Sequence, residues 1–194
     1  MQVSGKSSAQ VWHPALIIIH WLSVVVILGL YAVGWYMVQL DYYDSWYRVA
    51  PMWHKAFGLL WAFVIILRLV LRLILPRPPH LSTHRRWERF LASTLHLVFY
   101  GLLFFLFATG YIISTADGRA IDLFDVIEIP ALFSANQLEA WLEYPEDVAG
   151  EWHALAADLL VILVAVHAAG ALKHHFIDRD STLMRMLGVS KNES

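Results

Sequence analysis

Ten histidines and no cysteines stand in a chain of 194 residues, so any metal chemistry here is imidazole chemistry. Without thiols there is no disulfide, no iron–sulfur cluster, no thiolate haem ligation and no covalent haem attachment through C-x-x-C-H. His153 and His167 lie fourteen positions apart in an apolar stretch. On a helix that interval advances about 21 Å and returns to within about 40° of the same face. One helix then offers two imidazoles on one side, one near each face of a hydrocarbon core about 30 Å thick. An imidazole on a buried helix face is what a haem iron takes as an axial ligand.

The elements that must position these histidines read as membrane spans. The chain is 59% hydrophobic and 15% charged, with a mean hydropathy of +0.55, too apolar for a soluble domain of this size. Four long apolar stretches, about 15–40, 54–75, 90–113 and 152–174, can each cross a bilayer. The first is too long for a signal peptide and lacks a small-residue cleavage site. The expected fold is all-α: an integral membrane four-helix bundle, residues 1–194 forming a single domain.

Charge sets the expected direction. Lys6, Arg68, Arg72, Arg77, Arg85, Arg86, Arg89, Lys173, Arg179, Arg185 and Lys191 fall on one side, which leaves only Arg48, Lys55 and Arg119 for the other. The positive-inside rule then places both termini and the second connection in the cytoplasm. The third connection, 114–151, faces outward and carries nine carboxylates against one arginine. Its middle, 121–133, alternates apolar and acidic residues around Pro130 and is expected to form a short strand or helix at the interface. Pro76, Pro78 and Pro79 end the second helix and stiffen the chain after it.

A histidine inside an apolar span is costly without a partner, which makes it a functional candidate. Depth pairs His20 with His167 at the inner level and His54 with His153 at the outer one, giving two bis-histidine sites. Gly34 follows His20 by fourteen residues and presents bare backbone at the outer level. Arg68 follows His54 by the same interval and brings a guanidinium to the inner level, where it and Arg72 suit haem propionates. The alanines and Gly170 around the fourth-helix histidines would let a flat macrocycle approach, although small residues also pack helices in general. His96 shares the inner level, and Gly110 follows it by fourteen. It is the competing ligand, or else a hydrogen-bond partner of a propionate or quinone. His174, with Lys173 and His175, suits a quinone head group or an interfacial anchor. His13 reads as interfacial, His80 and His84 as solvated, and most tryptophans as an aromatic belt. H-E-x-x-H, a phosphate loop and a Ser-His-Asp set are absent. No nucleic acid is expected as a partner.

The pattern resembles the prokaryotic cytochrome b561 family over nearly the whole chain. The resemblance rests on His20-Trp21, Trp53-His54-Lys55, His96-Leu97 with Tyr100, His153 and His167, Lys173-His174-His175-Phe176, and the run from Asp178 to Met186. It implies a bundle in the bacterial inner membrane holding two b-type haems through His20, His54, His153 and His167. Similar members include a superoxide oxidase, which passes electrons from periplasmic superoxide to ubiquinone. More distant relatives anchor hydrogenases and formate dehydrogenases and exchange electrons with quinone. An anion-gathering outer face favours positive potential, whereas the third connection has a net charge of about −8. That suits docking of a basic periplasmic redox protein. The expected activity is therefore a relay between such a partner and the quinone pool. Superoxide oxidase is the alternative, and a non-redox four-helix transporter or scaffold is the third reading.

Overall fold

Pro14 begins α1 (Pro14–Met37) at a position where its missing N–H leaves no hydrogen bond unmade. His13 caps that helix, its Nδ1 accepting from the Ala15 N–H at 3.3 Å. α2 (Val49–Ile74) stops just before the prolines, which cannot continue it. In α3 (Arg86–Thr115) a Glu88 oxygen accepts from the Arg85 N–H at 2.8 Å. α5 (Pro145–Phe176) carries Glu146 and Asp147 in its first turn and Lys173, His174 and His175 in its last, each sign matching the nearby end of the helix dipole. Both α3 and α5 run beyond the apolar stretches at 90–113 and 152–174, because polar turns extend a helix without belonging to the hydrocarbon span.

The structure, a computed structural model, describes residues 11–81, 83–124 and 126–189. Lys6 and Lys191 of the charge argument and Asp125 of the acidic connection lie outside the described residues.

The structure is mostly helical, and the acidic connection adds its one short pair of strands among the described residues. They form an antiparallel hairpin, β1 (Ile121–Leu123) and β2 (Ile127–Ile129), with Ile121 opposite Ile129. Alternation of Ile121, Leu123, Ile127 and Ile129 with acidic residues has the period of a strand, and three residues suffice to pair. A short helix, α4 (Ala135–Trp141), follows, with Ser134 and Gln137 as its capping box. A last turn, α6 (Thr182–Met186), ends the described chain.

α1 packs on α2, α3 packs on α5, and α2 joins the two pairs through α3. At one end Trp21 Nε1 donates to the Met186 carbonyl, Arg185 to that of Pro79, and Lys173 to Glu88. These contacts gather the start of α1, the α2–α3 connection and α6 at a basic end. At the opposite, acidic end Phe124 of the hairpin turn packs on Trp53, and the Tyr111 hydroxyl donates to the Pro130 carbonyl. The bundle thus runs up, down, up, down. α1, α2, α3 and α5 are each long and apolar enough to cross a membrane. Val25, Phe63, Phe90 and Leu97 stand exposed around them, as expected of surfaces that meet lipid.

Candidate functional site

The seven-residue interval organises the interior into three layers. Seven residues after His20, His54, His96 and His153 stand Ile27, Trp61, Leu103 and Leu160. Seven further on come Gly34, Arg68, Gly110 and His167. Trp61, Leu103 and Leu160, with Ile65, are the buried apolar cluster, and Ile27 packs against it. A hydrocarbon plug therefore separates two polar levels, each about 10 Å along the helices from it.

At the acidic end the rings of His54 and His153 stand opposite each other edge-on, with centroids 6.2 Å apart and planes at 69°. Both are pressed against bare backbone. A Cβ placed on Gly34 would sit 3.2 Å from His54 Cε1, and one on Gly110 would sit 3.2 Å from His153 Cε1. The Thr109 hydroxyl donates to the Phe105 carbonyl at 2.9 Å, so toward His153 Nδ1, also at 2.9 Å, it acts as acceptor. With the hydroxyl proton on that carbonyl, His153 carries its own proton on Nδ1 and Nε2 is bare. The Leu30 carbonyl lies beside the His54 ring, yet His54 Nδ1 makes no hydrogen bond of good geometry. Beside His54, an almost wholly apolar cavity of about 660 Å³ opens between α1 and α2, lined by Leu30, Val33, Trp53 and Phe57 among others.

Toward the basic end His20 and His167 stand opposite each other edge-on, with centroids 6.4 Å apart and planes at 72°. His96 joins them, its ring 5.3 Å from that of His167 and perpendicular to it, with Nδ1 2.6 Å from the carbonyl of Ala92 on its own helix. Arg68 donates to the Tyr100 hydroxyl at 2.9 Å and approaches His20 Nδ1 at 3.2 Å. Arg72 lies over the Trp12 ring at 4.1 Å. Arg68 Nε and Arg72 Nη1 are buried donors without a hydrogen-bond partner among the described residues. The sequence pairing of His20 with His167 and His54 with His153, and of Gly34 with the His54 level, is thus the spatial arrangement.

The arrangement fits a flat metal macrocycle at each level. Two imidazoles holding one metal between them at about 2 Å each have centroids roughly 6–6.5 Å apart. Both facing pairs meet that spacing, and the His96–His167 pair is too close for it. Among the described residues, His54 Nδ1, Arg68 Nε and Arg72 Nη1 of α2 are buried without a hydrogen-bond partner at the two polar levels, which suits a polar or anionic group there.

His174 lies elsewhere, at the basic end. Its Nδ1 is 2.8 Å from Asp178 Oδ2, four residues on, and 3.4 Å from Asp180 Oδ2. Lys173 pairs with Asp178 and Glu88, and its ammonium holds the Asp178 carboxyl below the usual range. His84 is not solvated as its loop position suggested. Its Nε2 is 2.9 Å from Asp180 Oδ2, and its ring is 4.7 Å from that of His174. His80 is exposed, as expected. Sequence reasoning missed Thr109, although a hydroxyl beside Gly110 in an apolar span was a usable signal. It also missed the Arg68–Tyr100 bond, which no spacing announces.

Comparison with known proteins adds a family. Residues 11–189 match the prokaryotic cytochrome b561 family. The chain is 41% identical over 174 residues to cytochrome b561 homolog 2 of Escherichia coli (strain K12), covering 90% of this chain and 89% of that protein. It is 27% identical over 174 residues to a probable superoxide oxidase CybB of Yersinia pestis, covering 87% and 91%. Identity to cytochrome b561 homolog 1 of Escherichia coli (strain K12) is 24% over 181 residues, covering 88% and 93%.

Proposed function

The chain belongs to the prokaryotic cytochrome b561 family, membrane haem b proteins of electron transport, and on that premise we propose that it carries two haems and moves electrons between the periplasmic face and the quinone pool. The observation that carries this reading is the pair of facing imidazoles at each of two levels, 6.2 Å and 6.4 Å apart, sharing one helix. His54 and His153 would hold the outer group, and His20 and His167 the inner one. A haem in each place would supply one-electron chemistry at its iron.

The protein's own part is positioning and charge. Thr109 sets the His153 tautomer, leaving Nε2 as the donor atom. Gly34 and Gly110 fix the imidazoles from behind. Arg68 has only donors, so its contact with His20 requires an unprotonated Nδ1. If His20 binds metal through Nε2, Nδ1 carries the ring proton, and the guanidinium turns to a carboxylate instead. Arg68 and Arg72 then compensate propionate charge. The plug of Trp61, Leu103 and Leu160 keeps water from between the levels.

The charge distribution supports a bacterial inner-membrane location with both termini cytoplasmic, so the basic end meets the cytoplasm. His174 and Lys173 would lie where a ubiquinone head group exchanges protons. The acidic outer connection supports relay from a basic periplasmic partner. A second reading, superoxide:ubiquinone oxidoreductase, draws on the probable superoxide oxidase among the relatives. It also draws on Arg48 and Lys55, which are exposed at the acidic end without an ion pair among the described residues.

The purified protein should show a low-spin b-type spectrum and two haems per chain by pyridine haemochrome. A single haem, or a high-spin ferric spectrum, would overturn the two-level reading. Stopped-flow mixing with superoxide then separates the two activities, since near diffusion-limited haem reduction belongs to the oxidase and a sluggish response to the relay.

A further inference from the structure

We propose that His84, His174 and Asp180 form a binding site for a divalent transition-metal ion of the zinc class, at the basic end of the bundle and separate from the two histidine levels; an ion there takes His174 Nδ1 and leaves Lys173 for the quinone head group. One donor atom from each lies within 4.8 Å of the others. Asp180 Oδ2 is 2.9 Å from His84 Nε2 and 3.4 Å from His174 Nδ1. Ligands at about 2.0–2.2 Å around one tetrahedral ion stand roughly 3.3 Å from one another. The two distances from Asp180 Oδ2 are therefore already near the edge lengths of a coordination sphere.

The local backbone aims these atoms. Arg179 adopts a left-handed conformation, φ 54°, that turns the chain back after α5. The Asp180 N–H then donates to the His174 carbonyl at 3.0 Å. Asp180 Oδ1 accepts from the Thr182 N–H at 2.8 Å, which leaves Oδ2 toward the histidines. The Asp180 side chain is only 2% exposed, so its carboxylate is fixed rather than mobile. His174 Nδ1 is buried and lies between two carboxylates, 2.8 Å from Asp178 Oδ2 and 3.4 Å from Asp180 Oδ2.

Ligand chemistry selects the ion. Two imidazoles and one carboxylate suit zinc and its neighbours, whereas magnesium and calcium ask for oxygen ligands. Glu88 and Asp178 are held by Lys173, so the set is three protein ligands with an open position. The ligands come from the α2–α3 connection, the end of α5 and the segment after it. A bound ion would staple those three parts together.

The test is zinc titration of the tag-free, full-length purified protein by calorimetry, with zinc-edge X-ray absorption on the loaded sample. One ion per chain should bind in the micromolar range, with an absorption spectrum showing two imidazole ligands. His84→Gln and Asp180→Asn should each weaken binding about tenfold or more, while His80→Gln, at an exposed position, should bind as wild type. Unchanged helical circular dichroism confirms that each variant is folded, and this readout does not depend on haem. Absence of stoichiometric binding in the wild type, or variants that bind as tightly as it does, overturns the proposal.

Discussion

The two histidine levels share one spacing and differ in nearly everything around it. At the acidic end, His54 and His153 meet bare glycine backbone, one hydroxyl and an apolar cavity. Toward the basic end, His20 and His167 meet a third imidazole, a guanidinium and a phenol, with a second guanidinium one turn further along α2. A fourteen-residue interval fixes where an imidazole stands but says nothing of its surroundings. The lining gives one level selection by shape and the other selection by charge. Independent perturbation of the levels tests whether that division holds.

The largest effects should follow loss of an imidazole. His153→Leu should remove the outer haem and leave half the pyridine-haemochrome signal, and His167→Leu should leave the other half. If either variant loses both haems while its helical circular dichroism is intact, the levels are not separate sites. Glycine substitutions should be nearly as severe, at one level only. Gly110→Val places methyl groups where a Cβ alone would already stand 3.2 Å from His153 Cε1, so outer haem should fall by most of its occupancy. Gly34→Ala should cost less, because the His54 ring need give only a few tenths of an ångström. Alanine favours helix over glycine by about 1 kcal/mol, so any loss of haem in Gly34→Ala reports the ring contact and not the helix.

Legibility divides along the same line. The pairs and Gly34 were readable because membrane crossing forces helices and helices force periodicity, so His20 with His167 and His54 with His153 needed only depth. Arg68 was placed at the right level for the same reason. Contacts made by the chain folding back were not readable. His84 lies in a proline-rich basic loop, and nothing local shows that Asp180 returns to meet it across 96 positions. The hairpin was half visible in the alternation at 121–133, but the switch from strand to α4 depends on the Ser134 cap. The true start of α5 was hidden because Glu146, Asp147 and Glu151 resemble loop in an apolar count while stabilising a helix N-terminus.

Electrostatic substitutions should give smaller effects, opposite in sign at the two levels. Arg68→Leu removes a positive charge beside the inner site, which favours the oxidised, more positive iron. The inner haem should fall by roughly 50–100 mV in a redox titration, with the outer one unmoved. Thr109→Val removes the acceptor of the His153 Nδ1–H, so the imidazole becomes a weaker donor to ferric iron. The outer potential should rise by less than the inner one falls in Arg68→Leu, and outer haem affinity should drop about tenfold. Equal shifts at both levels in either variant would mean that the plug does not insulate them.

The smallest effects belong to the surface and bear on what reaches the outer level. Lys55 adjoins His54 in sequence and is exposed, whereas the Arg119 guanidinium is paired with Asp117, whose carboxyl it holds below the usual range. The Asp117–Arg119 pair is therefore close to neutral at physiological pH, and Lys55 has no ion pair among the described residues. Exposed charges act over a screening length of about 8–10 Å. At low ionic strength Lys55→Gln should change the rate of outer haem reduction about two- to threefold, and Arg119→Gln should change it less. The sign carries the information. Slower reduction by superoxide in Lys55→Gln points to an anion drawn to the outer level, while faster reduction by a cationic redox protein points to a relay whose acidic connection Lys55 partly offsets.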